Sequence, residues 1–306
     1  EWTDERGDTV LVKQVGAGSG HNIRNAGEDL AEGDTYLQAG RVLQPPDLAL
    51  LASQGVTQVT VRRSPIVGII STGDEVHEPG TPLPRGHIWN SNAHALGGLV
   101  REAGGTPRYL GIARDSLESL RDVFSRIDGC DAVISIGGVS VGDYDFVKDV
   151  LAELGGEQEF WKVAMRPGKP NASGTLAGMP YFGLPGNPVS SMVSFMQFVR
   201  PALLKMQGRS ELFLQTVDAV LEHDLKTRKR FLFLVRGVLK PNREGLGYTV
   251  STTGPQGSGI MRSLSLANCL VAVPEDIDDL REGARVRVQL LPWTRPAQPE
   301  PALRQA

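Results

Sequence analysis

The apolar run Ile66-Val67-Gly68-Ile69-Ile70 changes the pattern of this 306-residue chain. A short stretch with no polar interruption predicts a strand buried on both faces, as in a parallel sheet. From about 62 to 207 such runs alternate with helical patterns. The spacing predicts a helix over 92–103, closed by Gly104-Gly105, and a strand over 108–112. Asp115 or Ser116 is positioned to cap a helix running to about Arg126. A strand over 132–136, a helix over 144–154, strands near 160–164 and 181–183, and a helix over 188–206 complete the region. Strand–helix alternation of this kind predicts a parallel sheet covered on both faces, a three-layer α/β domain.

The flanks read differently. Residues 9–15 are β-rich, and the glycine run Gly16-Ala17-Gly18-Ser19-Gly20 follows them. Pro45-Pro46 opens a short helix over 47–53 that stops at Gly55, the usual placement of proline and glycine at helix ends. From 210 to 291 the pattern is mostly β, with candidate strands over 216–221, 231–239, 248–251, 269–273 and 284–291. These predict a small β-barrel-like domain. The stretch after Pro292 is rich in Pro, Gln and Ala and reads as disordered. The chain therefore divides into a remnant of β-rich amino-terminal domains (1–61), an α/β domain (62–207), a β domain (208–292) and a tail (293–306).

Composition narrows the functional classes. A net charge of −3 argues against nucleic acid as the main partner, since such binders carry a basic excess. Cys130 and Cys269 are far apart and form no CxxC pair, so neither a disulfide framework nor a structural zinc site is expected, and a reducing cytoplasm is. No apolar run reaches the length of a membrane helix.

In doubly wound sheets ligands bind beyond the carboxyl ends of the strands, and that is where the glycine- and proline-marked loops fall. The loop over 137–142, with Gly137, Gly138, Ser140 and Gly142, is either a tight βα turn or a cradle that brings backbone N–H groups to an anion. Ser71-Thr72-Gly73-Asp74-Glu75 ends one strand, and Asp143 and Asp145 end another. Carboxylates there either cap helices or hold Mg²⁺ together with substrate phosphate. Lys162, Arg166 and Lys169 gather around Pro167 and Pro170, as a solvated basic loop or as cations pre-organised for an oxyanion. In Leu184-Pro185-Gly186-Asn187-Pro188, Asn187 can cap a helix and Pro188 can start it, leaving free N–H groups at its positive end. The five histidines show no metal-ligand spacing, and neither a GxSxG elbow nor a Walker A motif occurs.

Taken in order, these segments resemble the molybdopterin molybdenumtransferase family, MoeA and the carboxy-terminal domain of gephyrin. The matching motifs are Asn22-Ile23-Arg24 with Gly27-Glu28-Asp29, the strand end at Ser71 to Glu75, Ile88-Trp89-Asn90-Ser91-Asn92, and Gly111-Ile112-Ala113-Arg114-Asp115. The loops over 137–145, 163–170 and 184–188, then Gln256-Gly257-Ser258-Gly259 and Ala267-Asn268, continue the series. The resemblance implies insertion of molybdenum from molybdate into adenylylated molybdopterin, release of AMP, dependence on Mg²⁺, and an elongated homodimer with its site between subunits. Other molybdenum cofactor biosynthesis proteins are implied partners.

Carried over by motif, Asp74, Glu75 and Asp145 would hold Mg²⁺ or nucleotide phosphates, with Lys169 counted among the catalytic groups. Thr72 and the 137–142 loop would cradle the pterin or its phosphate, and Pro185, Asn187 and Pro188 would border it. Lys162, Arg166 and Lys169 would attract molybdate; this chain has Arg166 where the family often has lysine. Arg24 and Asp29 would reach the site from another domain, and Ser263 with either Arg230 or Arg236 would meet molybdate from the β domain. The family also carries a long amino-terminal segment with a Ser-Ala-Met-Asp-Gly-Tyr-Ala-like motif, which these residues lack, so the expectation is a truncated chain. Two other readings stand beside the transferase: a molybdopterin adenylyltransferase, which shares the α/β domain, and a non-catalytic molybdopterin-binding scaffold.

Overall fold

The structure, a computed structural model, describes residues 3–13, 23–138, 146–242 and 247–294, and the chain divides into two units, Glu1–Val59 and Thr60–Ala306. In the first, β1 (Thr3–Arg6) and β2 (Thr9–Val12) form an antiparallel hairpin. The strand expected over 9–15 ends at Val12, and positions beyond Lys13 lie outside the described residues. Helix α1 (Pro45–Ser53) starts on its prolines. The Asp47 carboxylate accepts the Gln44 N–H at 2.8 Å and the Arg41 guanidinium at 2.7 Å, which satisfies a donor that the first helical turn leaves free.

The second unit opens with β3 (Ile66–Thr72), followed by the two-residue strands β4 (Val76–His77) and β5 (Ile88–Trp89), which pair with each other. Next come α2 (Ser91–Glu102), β6 (Thr106–Ala113), α3 (Leu117–Phe124), β7 (Ala132–Ile136) and α4 (Phe146–Glu153). Then β8 (Glu157–Lys162), β9 (Met165–Arg166), β10 (Pro170–Leu176) and β11 (Met179–Leu184) lead into α5 (Pro188–Ser194) and α6 (Arg200–Met206). A π-helical turn, Phe195–Val199, joins these last two helices. The helix expected over 188–206 widens there because Pro201 has no N–H to donate.

The main sheet has the order β6-β3-β7-β11-β10-β8. Its first four strands are parallel, as the apolar runs imply, but β10 runs antiparallel to both β11 and β8, so the sheet is mixed. On one face Val67, Ile69, Ile134 and Leu184 pack against Leu96 and Val100 of α2 and Phe195 and Leu203 beyond α5. On the other, Ile70, Val133 and Tyr181 pack against Leu120 and Phe124 of α3 and Val147 and Val150 of α4. Two buried faces give the three-layer arrangement, each full side-chain burial contributing about 1.5–3 kcal/mol.

The remaining elements are β12 (Thr216–Leu221), β13 (Leu225–Lys226), β14 (Leu232–Pro241), β15 (Tyr248–Thr252), α7 (Met261–Ser265), β16 (Cys269–Val273), β17 (Asp279–Leu280) and β18 (Arg285–Leu290). Strands β15-β12-β18-β16-β14 close on themselves through the β14–β15 pairing, a five-stranded barrel. Its interior holds Leu221, Val235, Val250, Val271 and Val288. Strand β9 adds to β14 from outside, and Leu234 and Leu270 on the outer wall pack with Val189, Val193 and Met196. Thus the barrel is bound to α5 by an apolar seam. Of the tail read as disordered over 293–306, the Trp293 indole donates to the Ala267 carbonyl at 3.3 Å and Thr294 bonds to Asn268; positions after Thr294 lie outside the described residues.

Candidate active site

Parallel strands end in loops that cannot pair with one another, and here four such ends leave a gap. Beyond β3, β6, β7 and β11 lies a crevice of about 370 Å³. Its floor is made by Thr72, Ile136, Gly137, Gly138 and Val147, and its sides by Glu75, Asp115, Asn92, Gly186 and Pro188. Two glycines are needed for it to exist. Gly137 and Gly138 have φ of 86° and 66°, where L side chains are strained. A Cβ on Gly137 would stand 2.8 Å from Thr72 Oγ1, and one on Gly138 2.5 Å from a Val147 methyl. The Thr72 hydroxyl donates to the Ile136 carbonyl at 3.1 Å and so ties the ends of β3 and β7 together.

A polar chain fixes α2 against this floor. Ser71 Oγ donates to Asn90 Oδ1 at 2.9 Å, and Asn90 also caps the Ala93 N–H. Asn90 Nδ2 donates to the Tyr109 hydroxyl at 2.8 Å, and that hydroxyl donates to Glu78. Burial, then the Glu78 carboxylate, push the Tyr109 hydroxyl well above its ordinary range, so it stays protonated as a donor. Asn92 Nδ2 donates to the Gly186 carbonyl at 2.6 Å, joining α2 to the loop before α5.

The acidic strand ends meet as well. Asp74 Oδ1 accepts the Asp115 N–H at 3.1 Å, and Asp115 Oδ2 accepts the Asp74 N–H at 3.4 Å. Arg114 Nη1 donates to the carbonyls of Gly73, Asp74 and Val76 at 3.4, 2.8 and 3.1 Å. This clasp leaves Glu75 and Asp115 on the crevice wall and Asp74 beside it. Among the described residues no group of three or more His, Cys, Asp or Glu is placed to hold a metal ion.

A second polar cluster lies along the barrel seam. Arg236 alternates with Leu234 on the outer face of β14 and is only 1% exposed. Its Nε donates to Ser263 Oγ at 2.7 Å, and its Nη2 to the carbonyls of Pro255 and Gly257 at 3.2 and 3.1 Å. No described carboxylate pairs with it, and burial lowers its pKa. In α5 and β10 the buried Ser191 Oγ, Ser194 Oγ and Asn171 Oδ1 have no hydrogen-bond partner among the described residues. Gly168 presses against Ser194, since a Cβ there would be 2.6 Å from Ser194 Oγ.

Only some of the sequence-predicted residues fall in these two clusters. Thr72, Glu75, Gly137, Gly138 and Pro188 line the crevice, with Pro185 and Asn187 flanking Gly186 in the same loop. Lys162, Arg166 and Lys169 are exposed and do not line it. Instead the Arg166 guanidinium stands 4.7 Å and the Lys169 ammonium 5.8 Å from the centre of the Phe231 ring. Because β10 runs back along β11, with Ala172 opposite Gly183, the basic loop before β10 stands at the sheet edge where β11 ends. Ser263 is with Arg236; Arg230 is held in a turn, its N–H donating to Glu275 O at 2.8 Å. Arg24 and Asp29 belong to the first unit and are exposed. Ser140, Gly142 and Asp145 lie outside the described residues. Sequence reasoning names Asp115 as a cap candidate and includes it, with Asn90 and Asn92, in the family motifs, but gives none of them a site role, and it passes over the serines of α5.

Three family descriptions match in succession: the MoeA N-terminal region (domain I and II) over residues 1–55, a probable molybdopterin binding domain over 68–205, and the MoeA C-terminal region (domain IV) over 218–291. Molybdopterin molybdenumtransferase 2 of Mycobacterium tuberculosis is 38% identical over 295 residues, covering 94% of this chain and 71% of the relative. The molybdopterin molybdenumtransferase of Haemophilus influenzae is 36% identical over 270 residues, covering 88% of this chain and 66% of its own length. A solved structure of the molybdopterin biosynthesis MoeA protein from Pyrococcus horikoshii superposes with a TM-score of 0.75 at 31% identity, over 94% of this chain and 70% of that one. Three matched regions in family order, on a fold with this crevice and this barrel, place the chain in the molybdopterin molybdenumtransferase family of transferases.

Proposed function

We propose that this protein acts in molybdenum cofactor biosynthesis, inserting molybdenum from molybdate into adenylylated molybdopterin with release of AMP. The observation that carries the reading is a glycine-floored crevice at the carboxyl ends of the parallel strands, together with a buried arginine on the barrel that packs against α5. Molybdate and a phosphoanhydride are both anionic, and joining them requires fixed cations and oriented dipoles that offset their repulsion. The Gly138 backbone and the first turn of α2 offer N–H groups to phosphate in the crevice, the Gly137 N–H being taken by the Leu184 carbonyl at 2.9 Å. Arg236 with Ser263 offers a buried positive charge on the barrel, and Lys169 and Arg166 offer exposed cations that would draw in the oxyanion.

The donor set on the crevice wall suits Mg²⁺, which is commonly held by one or two carboxylates together with substrate phosphate oxygens. Glu75 and Asp115 would hold it, and Asp74 braces the Asp115 loop through its bond to the Asp115 N–H. When bound, such an ion polarises the phosphoanhydride. A homodimer, a cytoplasmic location and association with other enzymes of the pathway belong to the same proposal. Among the described residues no helix is long and apolar enough to cross a membrane.

Incubating the protein with adenylylated molybdopterin, Mg²⁺ and molybdate tests the reading: AMP release dependent on molybdate is expected. ATP-driven adenylylation of free molybdopterin would instead make it an adenylyltransferase, and binding without turnover a scaffold.

A further inference from the structure

Trp89 is 51% exposed and its neighbour Ile88 is 53% exposed, yet both line the crevice. Thr72, Ile136 and Val147 on the floor are buried, whereas these two residues are half exposed and form its rim. Scattered surface apolar residues need no explanation, but a large aromatic left half bare at the mouth of a concave polar site is where ligands find apolar contact.

Its position is built. Trp89 Nε1 donates to the Thr81 carbonyl at 3.4 Å. The backbone on either side is pinned by Ile88 N–H to Glu75 O at 2.9 Å and Asn90 N–H to His77 O at 2.7 Å. The loop between β4 and β5 is braced by His77 Nε2 against His87 Nδ1 at 2.8 Å and by Glu78 against Tyr109. An aromatic side chain held this way has little freedom left to lose when a flat ring lies on it. Ser91 and Asn92, the first residues of α2, follow directly and also line the crevice. A ligand carrying a ring and a phosphate therefore meets a stacking platform and free N–H groups on consecutive residues.

We infer that Trp89 is the stacking platform for a planar heteroaromatic ring at the crevice rim and sets the preference for ligands that carry one. The inference rests on the reading of the crevice as the nucleotide- and pterin-binding site. Adenine and pterin share this chemistry, and the test separates them.

Binding of AMP and of 6-hydroxymethylpterin to the whole protein is measured by calorimetry for the wild type, Trp89→Phe and Trp89→Ala, with thermal unfolding followed in parallel. Base–aromatic stacking of ordinary strength predicts that Trp89→Ala raises Kd about tenfold for the ring that sits there. Trp89→Phe also loses the bond to Thr81 but keeps a ring, so it should stay within about threefold of wild type if stacking, not loop-holding, is what counts. A loss confined to AMP names adenine as the occupant; one confined to the pterin names the pterin. Equal affinity of wild type and Trp89→Ala for both ligands overturns the inference, as does failure of the wild type to bind either. Molybdate-dependent AMP release separates this from the proposed function. Turnover unchanged by Trp89→Ala sinks only the platform, whereas Trp89-dependent ring binding without turnover sinks only the transferase reading.

Discussion

Gly137 sets the shape of the crevice through what it lacks. Its backbone is left-handed, and Thr72 Oγ1 lies 2.8 Å from where a Cβ would stand, so there is no room for a side chain. Gly137→Ala should destabilise the protein by about 1–3 kcal/mol in urea unfolding and weaken ligand binding at the crevice. Ser263→Ala removes a partner of a buried guanidinium, and a loss of about 1.5–3 kcal/mol is expected in the same measurement, together with weaker dependence on molybdate. Burial pushes the Cys269 thiol up to about 12, so at pH 8 it should resist maleimide until the barrel unfolds. Asp131 is held below the usual carboxylate range first by the Arg63 guanidinium. Since its folded pKa is depressed, its stabilisation is present above the ordinary carboxylate pKa and is lost as pH falls through the lower folded value. Asp131→Asn should therefore flatten the acid limb of a stability–pH curve. Glycines announce themselves in a sequence, but that Arg236 and not Arg230 is the buried arginine was not legible, because burial depends on which strand packs against α5.

At the scale of elements, apolar patterning was a good guide both to a strand buried on both sides, β7, and to one with exposed positions, β12. The strand expected over 132–136 is Ala132–Ile136, and that over 216–221 is Thr216–Leu221. Strand β10 was invisible: Pro-Asn-Ala-Ser-Gly-Thr-Leu has little intrinsic strand preference and is recruited by pairing with β11 on one side and β8 on the other. That capture makes the sheet mixed and turns the basic loop back toward the end of β11. Helix α7, which carries Ser263, escapes the sequence pattern because its five residues are too few to show a helical period. Leu96 of α2 is fully buried between that helix and the sheet. Leu96→Ala should cost about 2–5 kcal/mol of stability by chemical denaturation.

For the molecule as a whole, the barrel lies against α5, where Val189, Val193 and Met196 pack with Leu234, Leu264 and Leu270. Lys169→Ala should weaken the dependence of AMP release on molybdate concentration more than it weakens pterin binding; equal losses would place Lys169 elsewhere in the reaction. By itself the amino-acid order determined most of the elements and their sequence along the chain, because hydrophobic period, caps and glycine turns are local properties. It also supplied the motifs that mark the family. Only the tertiary structure decided which loops share a crevice and which cations stand apart from it. It alone showed that Asp74 clasps Asp115 while Glu75 faces the cavity. Such facts follow from strand order and from long-range packing, which no local window of sequence contains.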